Sequence, residues 1–239
     1  SAPSIQAKLG ASNAVAFDLT AACSGFLFAL ITASQFLKAG NFKRALVVGA
    51  DQLSSFVDWN DRRSCILFGD GAGALAIEAT NEFDNFIGFD MRTDGERGCF
   101  LNLPSKNNKD SIIDNIDFSS GGFSPIQMNG QEVYKFAVKE VPIILDKLFR
   151  KTNYSSDEVD WLVLHQANQR ILDSVGEKLN FSREKILSNL QNYGNTSAGT
   201  IPLMLDEAIK KKIIKQNDII ATSGFGAGLS WGAALIKWG

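Results

Sequence analysis

This chain of 239 residues has only one histidine and three cysteines. A structural zinc site draws on four such ligands at close spacing, so none is expected here, nor any other bound metal. Cys23, Cys65 and Cys99 are too few and too scattered to form the disulfide framework of a small secreted domain, which favours a reducing compartment. No stretch reaches the roughly 18 uninterrupted apolar residues of a membrane span, and no basic leader opens the chain. Charge of one sign is also lacking: 24 basic residues face 26 acidic ones, for a net charge of -2. Neither nucleic acid nor an anionic membrane is therefore expected as a partner, and an acidic partner must be met by a local basic patch. What remains is ordinary globular composition, 45% hydrophobic, with length enough for one large domain or two smaller ones.

The chain opens SAPSIQAKLGASNAVAFDL, an amphipathic helix running into a short strand candidate at 14–19, without an initiator methionine. This suggests that the start of the natural protein is absent. Residues 24–38 have helical periodicity closed by Gly40, and 45–51 and 71–79 read as strands, the first of them buried. A similar order returns later: 185–190, then an apolar helix at 200–212, then strands at 218–226 and 229–238. Each unit carries a glycine-rich hairpin signal, FGDGAGALAI and FGAGLSWGAALI. Two copies of one α/β unit are therefore expected, with Cys23 and Asn195 at equivalent helix starts. Between the copies, residues 92–125 read as long loops. An amphipathic helix follows at 129–151, bent rather than ended by Pro142, and 160–168 is a buried strand that ends in polar residues.

Three residues stand out chemically. Cys23, in TAACSGFLFAL, lies between a strand and a helix start, where free N–H groups favour a thiolate and lower a cysteine pKa to between ~3.5 and ~7.5, although buried cysteines commonly just pack. His165 opens the polar cluster HQANQR at a strand's end, where a cleft would receive it. Asn195, in YGNTSAG, reads as a helix cap by itself. The internal repeat sets it opposite Cys23, and a nucleophile beside two hydrogen-bond donors suits covalent acyl chemistry. Cys65 and Cys99 read as inert. Gly71, Gly73 and Ala76 formally fit a dinucleotide fingerprint, but a strand follows instead of a helix, which removes the phosphate-binding terminus. SGFGAG at 223–228 fits better as a tight turn lending amides to an oxyanion hole.

DLTAACSGF, HQANQRI and GNTSAGTIP, with FGDGAGA and GFGAGLSWG, resemble β-ketoacyl-acyl-carrier-protein synthase III, the initiating condensing enzyme of type II fatty acid synthesis. The resemblance covers nearly the whole chain. It implies an α/β, thiolase-like fold of two pseudo-symmetric halves in a five-layered αβαβα arrangement, here 1–85 with the nucleophile and 86–239 with the histidine and asparagine. It implies Cys23 as the acylated nucleophile, His165 and Asn195 as donors to the malonyl thioester, and the amides of Cys23 and Ala227 as the oxyanion hole. By the same resemblance Arg62, Gly130, Tyr134 and Asn168 bind CoA or pantetheine, Leu53 and Phe225 line the acyl pocket, and Gln166 and Asn168 shape the loop that orients His165. Arg63 stands where relatives often carry a small residue. Lys135, Arg170 and Lys178 would meet the acyl carrier protein, and no cofactor is implied beyond the substrates acyl-CoA and malonyl-acyl-carrier protein.

The resemblance further implies a homodimer, in a bacterial cytoplasm or a plastid stroma, and a preceding segment of about 80 to 90 residues, without which the sheet would expose paired edges. The single histidine separates the chain from elongating synthases, which need two, and SGFGAG lacks the second cysteine of thiolases. A papain-like peptidase also orders Cys, His and Asn, and His165 lies 142 residues past Cys23, within its range, but the local C-G-[SA]-C-[WY] pattern and a disulfide set are missing here, and such peptidases lack the internal repeat. A non-catalytic scaffold would have no need of all three residues.

Overall fold

The computed structural model describes residues 1–80, 84–113 and 116–239, and of these the side chains of all but 107–113 and 116–121. Its elements run α1 (Ala2–Lys8), α2 (Gly25–Lys38), β1 (Arg44–Gln52), β2 (Asp70–Glu78), β3 (Phe86–Thr93), β4 (Leu101–Asn102), β5 (Ser105–Ile113), β6 (Ile116–Phe123) and β7 (Gln127–Met128). Then come α3 (Gly130–Thr152), β8 (Trp161–Leu164), α4 (Gln169–Lys178), α5 (Leu190–Tyr193), α6 (Thr200–Lys210), β9 (Ile219–Gly226) and β10 (Ser230–Lys237).

Sequence patterning accounts for most of these. α2 is apolar nearly all round and buries Phe26, Leu27, Leu30 and Ile31, because it is covered on both sides. α3 is started by the Asn129 side chain, which accepts from the Glu132 N–H at 3.3 Å, and stopped by Asn153 in the left-handed region at φ +58°. Pro142 lies inside α3 and the helix runs through it. β9 is buried along almost its whole length, as a strand must be when helices cover both faces of its sheet.

The main sheet has the order β3-β10-β9-β8, with β8 and β9 parallel and the other pairs antiparallel. On one face it packs against α3 and α4, through a core that includes Leu145, Leu148, Leu162, Leu172 and Ala233. On the other it meets α2 and α6, whose far side carries the β1-β2 pair through Val47. The order β1-β2, α2 and α6, main sheet, α3 and α4 makes four consecutive layers of a thiolase-like αβαβα stack, with the central helix pair sandwiched between sheets.

Several local expectations change. Residues 14–19 form no strand: no partner strand reaches them among the described residues, and Val15 and Phe17 stay more than half exposed. β1 is buried on one face only, since Leu46 is half exposed while Val47 is covered. FGDGAGALAI is no hairpin turn, because β1 and β2 pair across the long connection 53–69 and the glycines begin β2. GFGAGLS is one, closing β9 onto β10. The loop expected at 92–125 is largely ordered, as the 3₁₀ turn Gly95–Phe100, the pair β4-β7 and the hairpin β5-β6; residues 114 and 115 of that stretch lie outside the described residues.

The internal repeat is present with a different register. Ala22 at φ +47° and Ser197 at φ +51° each precede two residues and then the first residue of a helix, Gly25 of α2 or Thr200 of α6. Cys23 thus corresponds to Ala198, and Asn195 lies three residues earlier than the equivalence read from sequence. The match of strand spacings hid this shift, because a loop absorbs three residues at no cost to periodicity.

Candidate active site

Cys23 sits in the 3₁₀ turn Ala22–Ser24 at the entry to α2. The Ser24 hydroxyl lies between the carbonyls of Ala21 at 2.7 Å and Ser230 at 3.1 Å, which ties the turn to β10. From the other side Gly226, the last residue of β9, presses on the cysteine: a Cβ there would lie 2.7 Å from the Cys23 nitrogen. Only glycine allows that approach.

His165 follows β8 directly, and its N–H donates to the Ser223 carbonyl at 2.8 Å. Gln166 anchors the bend beyond it. Fully buried, it donates from Nε2 to the Leu164 carbonyl at 2.7 Å and accepts at Oε1 from the Asn189 N–H at 3.2 Å. The imidazole stands edge-on to Phe225, ring centres 5.2 Å apart, and its Nδ1 lies 2.8 Å from the Thr200 hydroxyl. Asn168 caps α4, accepting from the Arg170 N–H at 2.9 Å.

Asn195 is clamped by its backbone, which donates to the Leu67 carbonyl at 2.9 Å and accepts from the Gly69 N–H at 2.9 Å. Its Oδ1 accepts from the Ser197 N–H at 2.8 Å, and its Nδ2 has no acceptor among the described residues. Sequence reading passed over Ser197, which connects the three. The Ser197 hydroxyl donates to Cys23 Sγ at 3.3 Å, and its carbonyl lies 2.9 Å from the Thr200 hydroxyl, which is also 2.8 Å from His165 Nδ1. Its left-handed backbone turns N–H, hydroxyl and carbonyl to three different partners. Asp51, at the end of β1, steadies the turn by accepting from the Ala198 N–H at 3.1 Å. The run of small polar residues NTSAGT was the signal for this hub, and reading it only as a cap concealed it.

Cys23, His165 and Asn195 line one cavity, and Gly130, Tyr134, Asn168 and Phe225 line it with them. Three expected residues do not. Leu53 leaves the cavity wall because the chain turns into a 3₁₀ segment after β1 ends at Gln52. Arg62 projects from an exposed turn, whereas its neighbour Arg63 pairs with Asp61 at 2.9 Å and lines a second, polar cavity that shares Met128 with the first. Gly226, not Ala227, contributes to the wall beside Cys23; the N–H groups of Ala227 and Cys23 nevertheless donate to no backbone carbonyl among the described residues. Of the basic residues, Arg170 lies over the Tyr134 ring, 5.5 Å from its centre, Lys135 pairs with Glu132 at 2.7 Å, and Lys178 donates to the Val138 carbonyl at 2.8 Å.

Burial governs the electrostatics. It pushes the Cys23 thiol up to about 11, against the partial relief of the Ser197 hydroxyl, so the low pKa expected from the helix start is overturned. Desolvation likewise pushes His165 down to about 3, so the imidazole is neutral across the physiological range. The cavity therefore offers a thiol, a neutral imidazole and a primary amide, an arrangement suited to acyl transfer between thioesters.

Comparison with known proteins gives the same direction. Residues 17–95 match the family described as 3-oxoacyl-[acyl-carrier-protein (ACP)] synthase III, and residues 149–238 match its C-terminal part. The chain is 92% identical over 239 residues to the beta-ketoacyl-[acyl-carrier-protein] synthase III of Prochlorococcus marinus (strain MIT 9215), covering all of this chain and 71% of the relative. It is 61% identical over 238 residues to that of Synechococcus sp. (strain WH7803), covering 70% of it. The crystal structure of the Aquifex aeolicus VF5 synthase III superposes with a TM-score of 0.89 at 39% identity, over 99% of this chain and 71% of that one. With the cavity chemistry and these matches together, the chain belongs to the 3-oxoacyl-[acyl-carrier-protein] synthase III family.

Proposed function

We propose that Cys23, His165 and Asn195 carry out the reaction of this family, the decarboxylative condensation of an acyl-CoA primer, acetyl-CoA by family default, with malonyl-acyl-carrier protein that initiates fatty acid synthesis. The observation that carries the assignment is the convergence of these three side chains on one cavity, linked through Ser197. In the first half-reaction the Cys23 sulfur attacks the primer thioester, CoA leaves, and the thiol proton ends on the CoA sulfur. In the second, malonyl-carrier protein loses carbon dioxide to give an enolate, whose carbon attacks the acyl-Cys23 carbonyl and expels the sulfur, which regains a proton from water. His165 and Asn195 donate to the malonyl thioester oxygen as charge develops on it, and the N–H groups of Cys23 and Ala227, which meet no backbone carbonyl among the described residues, do the same for the acyl oxygen. Hydrogen bonds polarise both carbonyls, so neither step calls for a resident cofactor or metal.

The remaining assignments follow the walls of the cavity. Gly130, Tyr134 and Asn168 hold the pantetheine arm, and Phe225 bounds the acyl group. Arg170, stacked on Tyr134 and exposed, is the strongest of the three basic residues for meeting the carrier protein, because Lys135 and Lys178 are already engaged. The 1–85 and 86–239 halves are supported by sheet membership, since β1-β2 and the main sheet contain no strand from the other half. Among the described residues no helix is long and apolar enough to cross a membrane, and the relatives in Prochlorococcus favour a bacterium over a plastid.

The division of labour is tested by His165→Ala. Condensation should fall at least about a hundredfold while acylation of Cys23 by acetyl-CoA persists, because the histidine acts on the malonyl group. Equal loss of both half-reactions would contradict the assignment.

A further inference from the structure

The hydrogen bonds around Thr200 contain one proton too few to satisfy every arrangement at once. Its hydroxyl has a single hydrogen and lies 2.8 Å from His165 Nδ1 and 2.9 Å from the Ser197 carbonyl. A carbonyl oxygen only accepts, whereas a neutral imidazole has one donor and one acceptor nitrogen. If the hydroxyl donates to Ser197, Nδ1 must be the nitrogen that carries the proton, and Nε2 can only accept. If it donates to Nδ1, the proton resides on Nε2, which then donates.

The cavity side of the ring fixes which is useful. His165 is 1% exposed and lines the cavity, and its Nε2 has no hydrogen-bond partner among the described residues. Burial keeps the ring neutral, so Nε2–H is not obtained by adding a second proton. Donation to a thioester oxygen therefore requires an acceptor role for Nδ1. Thr200 is the one partner that Nδ1 has among the described residues.

We propose that Thr200 is a positioning residue for condensation: its hydroxyl donates to His165 Nδ1 and thereby holds the imidazole as the Nε2–H tautomer that faces the malonyl thioester. The Ser197 carbonyl is the alternative acceptor, and turning to it switches His165 to a form that cannot donate. Both residues lie in one turn, Ser197 in the left-handed region and Thr200 as the first residue of α6. The hydroxyl is thus presented by rigid backbone, and Thr200 itself is 1% exposed. No bond is made or broken by Thr200, and the two states differ by the hydroxyl rotor and by one proton exchanged through cavity water between the ring nitrogens.

This inference rests on the proposed role of His165 and is tested beside it. Thr200→Val keeps the shape and removes the hydroxyl; Thr200→Ser keeps the donor. Steady-state condensation of acetyl-CoA with malonyl-carrier protein should fall about tenfold to a hundredfold in Thr200→Val through kcat, with acylation of Cys23 within about threefold of the parent, and Thr200→Ser should recover condensation to within about threefold. Because the chain holds one histidine, ¹⁵N-labelled imidazole gives an unambiguous spectrum. At neutral pH it should report Nδ1 as an unprotonated nitrogen that accepts a hydrogen bond, and Thr200→Val should lose the bond signature. A parent spectrum with the proton on Nδ1, or unchanged condensation in Thr200→Val, would overturn the inference. So would equal loss of both half-reactions in the valine and serine variants, which marks a packing defect. If His165→Ala itself condenses normally, the functional reading fails first; if His165→Ala is inactive while Thr200→Val is not, only this inference fails.

Discussion

Cys23 should react as a hindered, high-pKa thiol and not as the activated thiolate that its place before a helix suggests. The perturbation is pH, and the reporter is alkylation of Cys23 by iodoacetamide, followed by mass spectrometry of the Cys23 peptide so that Cys65 and Cys99 do not interfere. Burial raises the thiol from 9.0 to about 11, with the nearby Asp51 carboxylate acting in the same direction and the Ser197 hydroxyl opposing. At pH 7 the thiolate is then about one molecule in ten thousand, against about one in a hundred for an ordinary thiol of the same starting value. The alkylation rate should rise about tenfold per pH unit between about pH 7 and pH 10, without a plateau in that range. Ser197→Ala removes the one side chain that donates to the sulfur among the described residues and should lower the rate at every pH on this limb, by about tenfold to a hundred-and-fiftyfold, the value of a hydrogen bond to a charged group. A plateau with its midpoint below about pH 8 would refute the reasoning and mean that the helix start outweighs burial.

Two further outcomes follow from packing and from His165. Gly226→Ala sets a Cβ 2.7 Å from the Cys23 nitrogen and 2.9 Å from its Cβ, so the turn must move; the melting curve should register about 1–3 kcal/mol of destabilisation, and acetylation of Cys23 should slow at least about tenfold. His165 takes up a proton on unfolding, because its folded pKa is lowered from 6.5 to about 3. Its contribution to stability is complete above about pH 6.5 and is lost as pH falls towards about 3. Denaturant unfolding between about pH 6 and pH 5 should therefore show a slope that approaches 1.4 kcal/mol per pH unit more than in His165→Gln. Equal slopes would mean that the folded histidine titrates normally.

The chain's sequence made the chemistry more legible than its arrangement. Cys23, His165 and Asn195 were readable from three local motifs, because each lies where an apolar run gives way to small polar residues. The end of α2 before Gly40, the continuation of α3 through Pro142 and the β9-β10 hairpin followed from period and turn chemistry alone. What local pattern could not convey was partner geometry. Residues 14–19 have strand composition and lack a strand to pair with among the described residues, and FGDGAG has turn composition but opens β2. The thiol pKa was misjudged because a helix start is visible in sequence, whereas the degree of burial depends on Gly226, 203 positions away. Ser197 and Thr200 escaped notice for a related reason: their roles reside in which atoms three distant segments bring within 3.3 Å of one turn.

The most direct test of the account is the intact mass of the protein after incubation with acetyl-CoA, measured in parallel on Cys23→Ala. The account predicts a single acetyl adduct on the parent, absent from the variant and discharged when malonyl-carrier protein is added. An adduct of equal size on Cys23→Ala, or one on Cys23 that malonyl-carrier protein leaves in place, would contradict it.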